Sequence, residues 1–320
     1  MDASRPRAAV DGPLLLVTGG TGFVGGAVAA AVRATPGARL RLASRRPSAA
    51  SASAGRTIRA DLTDPASLRG LCDGVDVLLH CATRIEGPAD LTSEVNDRGT
   101  EALVEEALRA GVRRIVYLST ASVYGRGTFR DVRPESLPLA PGSPTSASRA
   151  AAEAHVLAAG GTTLRPHLIT GAGDRWVVPG LVRLHRRLLA SVDGWPARIS
   201  TVDVADLARV AVALALAPED VSGAWHPNHP EPVRCDELFD ALVHTFRLPP
   251  THHDLSIAAA RGKLADHPRD RHHLDMLATD HWFDSTRPWS VTGSRPGLGF
   301  VDSLHRHASW YQAHLATALP

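Results

Sequence analysis

The chain has 320 residues, 44% hydrophobic and 21% charged, with 35 basic side chains against 33 acidic ones. That length carries a sizeable core in one large α/β domain or two interleaved lobes, and a formal net charge of +2 supplies no field for nucleic acid. No apolar run is long enough to cross a bilayer, and Met1 to Pro13 holds charge and proline rather than an apolar targeting core. Three cysteines without metal or redox spacing suit a reducing compartment, so a soluble cytoplasmic protein is expected. Lys263 is the only lysine, against 34 arginines, so an arginine where lysine would be usual says little by itself.

Leu14 to Val17 read as a buried parallel strand, the glycine-dense stretch after it as a phosphate loop, and Phe23 to Ala34 as a helix. Gly19, Gly22 and Gly25 stand three apart. That spacing provides a tight turn, a close backbone approach to a pyrophosphate and close helix–strand packing. The N–H groups and dipole of the helix start favour the anion, so Thr21, Phe23 and Val24 join the glycines as cofactor residues. Arg39 to Ala43 form a second strand ending in Ser44, Arg45 and Arg46. An acidic residue there would bind a ribose 2′-hydroxyl; none occurs between Arg39 and Arg59, and two guanidiniums suit a 2′-phosphate instead. NADP(H) is the expected cofactor.

Thr57 to Ala60 read as a third strand, followed by Asp61 and Leu62 and a helix capped near Asp64. Asp61 suits the adenine amino group and equally a plain turn. Val75 to Cys81 is a fourth strand, apolar on both faces. Cys81, Ala82 and Thr83 end it with small residues against which a cofactor can lie, and His80 reads as structural rather than catalytic. A helix from Asn96 to Ala110 and a strand from Arg114 to Ser119 continue the alternation. Strands and helices in alternation imply an α/β, Rossmann-like doubly wound parallel sheet. Beyond it, Thr162 to Arg165 and Ile199 to Val202 read as strands and Ala205 to Ala217 as a helix. A dinucleotide-binding domain over residues 12–165 is expected, with the helix at 205–217 returning to it. Residues 166–320 then form a smaller interleaved substrate lobe and lid. The pairs His252-His253 and His272-His273 lack zinc-site spacing, so no metal is expected.

These motifs together resemble the extended short-chain dehydrogenase/reductases, the group of nucleotide-sugar epimerases and dehydratases. The resemblance rests on Thr18 to Gly25, His80 to Thr83, Asn96 with Gly99-Thr100, Ser119 to Gly125, Arg165-Pro166 and Val202 to Ala208. It implies a catalytic Ser or Thr, a Tyr, and a Lys four residues after the Tyr. Thr120 matches the first, but Thr145 stands at the Tyr position and Arg149 at the Lys position, just before a helix read as Ala150 to Ala159. The three tyrosines, Tyr117, Tyr124 and Tyr311, are followed at the fourth place by Ala121, Thr128 and Leu315, so no Tyr-x-x-x-Lys exists. Arg149 can still hold a ribose but stays protonated, and an aliphatic hydroxyl ionises far less readily than a phenol.

Three readings follow. The first is an NADPH-dependent ketoreductase similar to the atypical ketoreductases of aromatic polyketide antibiotics, the angucyclinone type. There the substrate's own phenols polarise its carbonyl, and Thr120 with Thr145 supplies hydrogen bonds. The second is a nucleotide-sugar epimerase or dehydratase. The third is a non-catalytic NADP(H)-binding protein. The family's pocket implies Pro166 and His167 beside the cofactor, and Tyr124, His167, Trp176 and Val177 towards a small-molecule substrate. Tyr124 and His167 are the candidate substitutes for the missing proton donor. Neither a nucleic-acid nor a membrane partner is expected.

Overall fold

The computed structural model describes residues 12–46 and 56–318; most of the amino-terminal stretch read above for a targeting core lies outside them. The main sheet has seven parallel strands, β1 (Leu14–Thr18), β2 (Arg39–Ser44), β3 (Arg56–Arg59), β4 (Val77–His80), β5 (Arg114–Leu118), β6 (Thr162–Leu164) and β7 (Gly223–Trp225). Their order is β3-β2-β1-β4-β5-β6-β7. It reverses between β1 and β4, and a crevice opens at that switch point beyond the carboxyl ends of the strands. The expected Rossmann-like doubly wound sheet is borne out.

Period-two alternation sorts the strand residues to two buried faces. Leu15, Val17, Val77, Leu79, Val116 and Leu118 point to one side, where α1 (Phe23–Ala34) packs. Leu16, Leu78, Ile115 and Tyr117 point to the other, where α2 (Gly99–Arg109) and α3 (Pro144–Ala158) supply Leu103, Ala107, Ala152 and Val156. The helix α5 (Val204–Leu216) lies beside α1, with Leu207, Ala208 and Ala211 in the same core. The Arg114 guanidinium reaches the carbonyls of Leu214 and Ala217, satisfying the orphan acceptors at the end of α5.

Several boundaries differ from the sequence reading, and three of them have a clear local reason. The helix α3 starts at Pro144, six residues before Ala150. Ser143 caps it, accepting the Ser146 N–H while the Ser146 hydroxyl accepts the Ser143 N–H, and Pro144 takes the first helical position. Residues Ile199 to Val202 form two short strands rather than one. Arg198–Ile199 joins a four-stranded sheet with Val233–Arg234, His281–Phe283 and Phe129–Val132, whereas Thr201–Asp203 pairs with Leu168–Thr170. Ser200 is the pivot: its N–H donates to His281 and its carbonyl accepts from Leu168. Asn96 lies in a π-helical turn, Glu94–Arg98, that precedes α2.

The second lobe is built on the helix α4 (Val177–Leu188), whose Val178, Leu181, Val182 and Leu184 pack with Leu238, Leu242, Phe300 and Tyr311. Among the described residues no helix is long and apolar enough to cross a membrane.

Candidate functional site

A cleft of about 1270 Å³ runs along the carboxyl ends of β1, β2, β4 and β5. Its lining brings together every residue assigned above to the cofactor: Gly19, Thr21, Gly22, Phe23, Val24, Gly25, Ser44, Arg45, Arg46, Asp61, Leu62, Cys81, Ala82, Thr83, Arg149, Pro166 and His167. Gly19 has a φ of +69°, and a Cβ there would come within 2.7 Å of the Ala82 nitrogen. A Cβ on Gly25 would collide with the Gly19 carbonyl. A side chain at either place would therefore fill the cradle or push α1 away from it. The start of α1 carries no side-chain cap and no acidic residue in its first turn, so its positive end faces the cleft uncompensated. These features fit a dinucleotide with its pyrophosphate at the start of α1.

At the ribose end, Arg45 and Arg46 are exposed, and the Ser44 hydroxyl accepts the Arg46 N–H at 3.3 Å. Asp61 turns its Oδ1 onto the N–H and hydroxyl of Thr63 (3.1 and 2.9 Å). The Thr63 hydrogen bonds, with help from Arg45 and Arg59, hold its carboxyl below the ordinary range against the opposing effect of burial.

His80 is structural. The Thr18 hydroxyl accepts the N–H groups of Cys81 and Ala82, so its own proton goes to His80 Nδ1 at 2.7 Å. His80 Nε2–H then donates to Thr100 (3.0 Å), whose hydroxyl donates to the Asn96 carbonyl. Burial, then the Arg149 charge, pushes His80 down to about 3, so the neutral ring is a fixed link. Asn96 fixes the cleft wall: it accepts from Thr83 and the Arg84 N–H and donates to the Arg84 carbonyl and Ser148.

At the centre of the cleft the three candidate catalytic residues separate. Thr120 lines it, its hydroxyl accepting the Ser122 N–H and donating to Ser122 Oγ, both at 3.2 Å. Arg149 lines it too, with one guanidinium nitrogen on the Leu118 carbonyl at the end of β5 and a buried Nε without a partner. Thr145 does not line the cleft. It stands one turn before Arg149 on α3, and its hydroxyl donates to the Ile85 carbonyl at 3.2 Å. The expectation that it joins Thr120 on a substrate oxygen is corrected: its proton already has an acceptor in the wall.

Tyr124 is likewise corrected. It is buried behind the cleft among Phe129, Phe283 and His226. Arg165 Nη1 donates to its hydroxyl at 2.8 Å, and a guanidinium can only donate. The phenol proton therefore goes to His226 Nε2, also at 2.8 Å. Burial raises the phenol pKa despite the opposing Arg165 charge. A buried bidentate ion pair between Arg165 and Glu153 completes this network. His167 does line the cleft, its ring stacked on His281 at 5.6 Å. Burial, then the neighbouring histidines, lowers it to about 3, so it is neutral and offers a hydrogen bond rather than an acid proton.

On the substrate side, Trp176 and Ile85 line the cleft with 46% and 44% of their surface exposed. Val177 does not line it; it begins α4 and packs on the core of the second lobe, so its substrate assignment is corrected. Arg84 and Arg175 line the cleft as well, and no spacing in the sequence marks either loop position. Among the described residues no group of three or more His, Cys, Asp or Glu side chains is placed to hold a metal ion.

Residues 15–225 match the NAD dependent epimerase/dehydratase family. The chain is similar to a 2-alkyl-3-oxoalkanoate reductase of Stenotrophomonas maltophilia (strain K279a), 28% identical over 278 residues that cover 78% of this chain and 84% of that protein. It is also similar to a 3 beta-hydroxysteroid dehydrogenase/Delta 5-->4-isomerase of Mycobacterium tuberculosis (strain ATCC 25618 / H37Rv), 34% identical over 179 residues, 50% of this chain and 48% of that one. Among solved structures, a short-chain dehydrogenase/reductase superfamily protein from Agrobacterium tumefaciens with bound NAD superposes with a TM-score of 0.73 at 22% identity, covering 95% of this chain and 98% of that one. That last likeness speaks for the fold alone.

Proposed function

The chain belongs to the NAD dependent epimerase/dehydratase family and is an oxidoreductase of the extended short-chain dehydrogenase/reductase type; on that premise we propose that it is an NADPH-dependent ketoreductase of aromatic, angucyclinone-type polyketides. One observation carries the reading. Of the three positions that match the family's Thr, Tyr and Lys, Thr120 alone offers a hydroxyl to the cleft, because Thr145 does not line it and is bonded to Ile85, and Arg149 cannot release a proton. Such a site suits a carbonyl that needs little acid help, one already hydrogen-bonded by phenols of its own ring system. General acid–base help contributes on the order of 10²–10⁴-fold, a factor that an internally polarised substrate can replace.

A nicotinamide bound here supplies a hydride. The family's description as NAD dependent supports that class of cofactor, and Arg45 and Arg46 support the 2′-phosphate form. Thr120 donates to the carbonyl oxygen, Arg149 supplies positive charge beside it, and Trp176 and Ile85 offer apolar surface to a planar ring system. The 2-alkyl-3-oxoalkanoate reductase among the relatives supports ketone reduction over sugar chemistry, and an epimerase that begins by oxidising a hydroxyl needs the base this chain lacks. The test follows NADPH consumption with phenolic polycyclic ketones and 2-alkyl-3-oxoalkanoates. With nucleotide sugars and the oxidised cofactor it follows product formation by chromatography, because epimerisation and dehydration return the hydride and consume no NADPH overall. Turnover of the polycyclic ketones, and little with their phenol-methylated forms, is expected. Turnover of nucleotide sugars alone would overturn the reading, and cofactor binding without any turnover would favour a non-catalytic protein.

A further inference from the structure

We propose that Arg175 holds the pyrophosphate from the second lobe, opposite the glycine loop, so that the dinucleotide is gripped between two segments of the chain. The inference rests on the dinucleotide reading above. The turn from Gly171 to Trp176 is fixed against the phosphate loop. Gly173 has a φ of +103°, and a Cβ on it would come within 2.8 Å of the Phe23 ring at the start of α1. Asp174 is buried, and its carboxylate accepts the N–H groups of Trp176, Val177 and Val178 at 2.8, 2.8 and 2.9 Å. It also accepts the Tyr311 hydroxyl at 3.0 Å, while that hydroxyl accepts the Gly171 N–H at 2.8 Å. The Asp174 charge is thus committed to the start of α4, not to its neighbour.

Arg175, between the pinned Asp174 and Trp176, is exposed and lines the same cleft as Gly22, Phe23 and Val24. It makes no ion pair or hydrogen bond among the described residues. The cleft is built for a polar ligand at this end of the sheet, since the buried Ser119 hydroxyl and Arg149 Nε both line it without a partner. A free guanidinium in the same cleft as an uncapped helix start is the complement of a doubly charged pyrophosphate, which it can meet through parallel charge-assisted bonds.

Calorimetric titration with NADPH, NADH and adenosine 2′-monophosphate separates the terms, because the monophosphate has no pyrophosphate. The Arg175→Gln variant should bind both dinucleotides about tenfold more weakly and the monophosphate unchanged, with Arg175→Lys recovering part of the loss. Arg46→Gln should weaken NADPH and the monophosphate and leave NADH alone. Dinucleotide affinities within about twofold of the native protein in Arg175→Gln would overturn the inference and leave the dinucleotide reading standing. So would an equal loss for the monophosphate, or a loss confined to the ketone KM. A native protein that binds neither dinucleotide would overturn both.

Discussion

Thr120 and Thr145 carry the same hydroxyl, and their partners give them different work. The two bonds of Thr120, each 3.2 Å, run to the adjacent Ser122 and can be traded for a substrate oxygen in the cleft. Thr145, which does not line the cleft, ties the start of α3 to the carbonyl of Ile85 in its wall. Thr120→Val should therefore lower kcat with the ketone substrate by about 10²-fold, the scale of removing one hydrogen-bond donor from a developing oxyanion. Thr145→Val should retain kcat within several-fold. Steady-state rates of both variants at saturating NADPH check this, and near-complete loss in Thr145→Val would make that residue a direct participant. The missing phenol was legible in the sequence, because a Tyr-x-x-x-Lys is either present or not. The commitment of Tyr124 was not, since its partners Arg165 and His226 lie 41 and 102 positions away and leave no local pattern.

The helix α3 is the element on which the site is hung. Its Thr145, Arg149 and Glu153 recur every fourth residue on one face, reaching Ile85, the Leu118 carbonyl and Arg165 in turn. Arg165 immediately precedes Pro166 and His167 of the cleft, and Tyr124 closes the turn that Thr120 opens. One buried ion pair therefore sets three wall segments against each other. Removing one partner strands the other charge in the core, so Glu153→Leu should cost about 3–5 kcal/mol. Adding Arg165→Met should recover much of that loss. Urea unfolding of the single and double variants measures it; a single-variant loss below about 1 kcal/mol would show that the pair does not hold these segments. The alternation of apolar residues made the strands and α1 readable, but the Ser- and Thr-rich first turn of α3 hid its start. Those residues compete with helix by bonding to the backbone, and here the same habit makes the cap.

Across the whole molecule, legibility follows the regularity of what buries each segment. The central strands β1, β4 and β5 of the seven-stranded sheet are covered on both faces, so they read as apolar runs. The second lobe joins two- to four-residue strands through long-range pairings such as Asp254–Leu255 with Ser191–Val192, too short to show a period. The histidines tie these parts into one acid-sensitive structure. His80 sits in the sheet, and His167 and His226 lie where the sheet meets the second lobe; burial lowers each to about 3. The unfolded chain takes up their protons near pH 6.5, whereas the native state refuses them until about pH 3. Stability is thus fully present above pH 6.5 and falls as the pH drops towards 3, by up to about 1.4 kcal/mol per pH unit for each histidine. Asp174 acts with the opposite sign: burial raises its carboxyl, so its contribution is present in acid and lost as the pH rises through its raised value, which softens the slope. Calorimetric melting at constant ionic strength should give a nearly level midpoint from pH 8 to 7 and a steep fall from pH 6.5 to 5. A level midpoint throughout would mean that these three rings reach water and titrate as free histidines do.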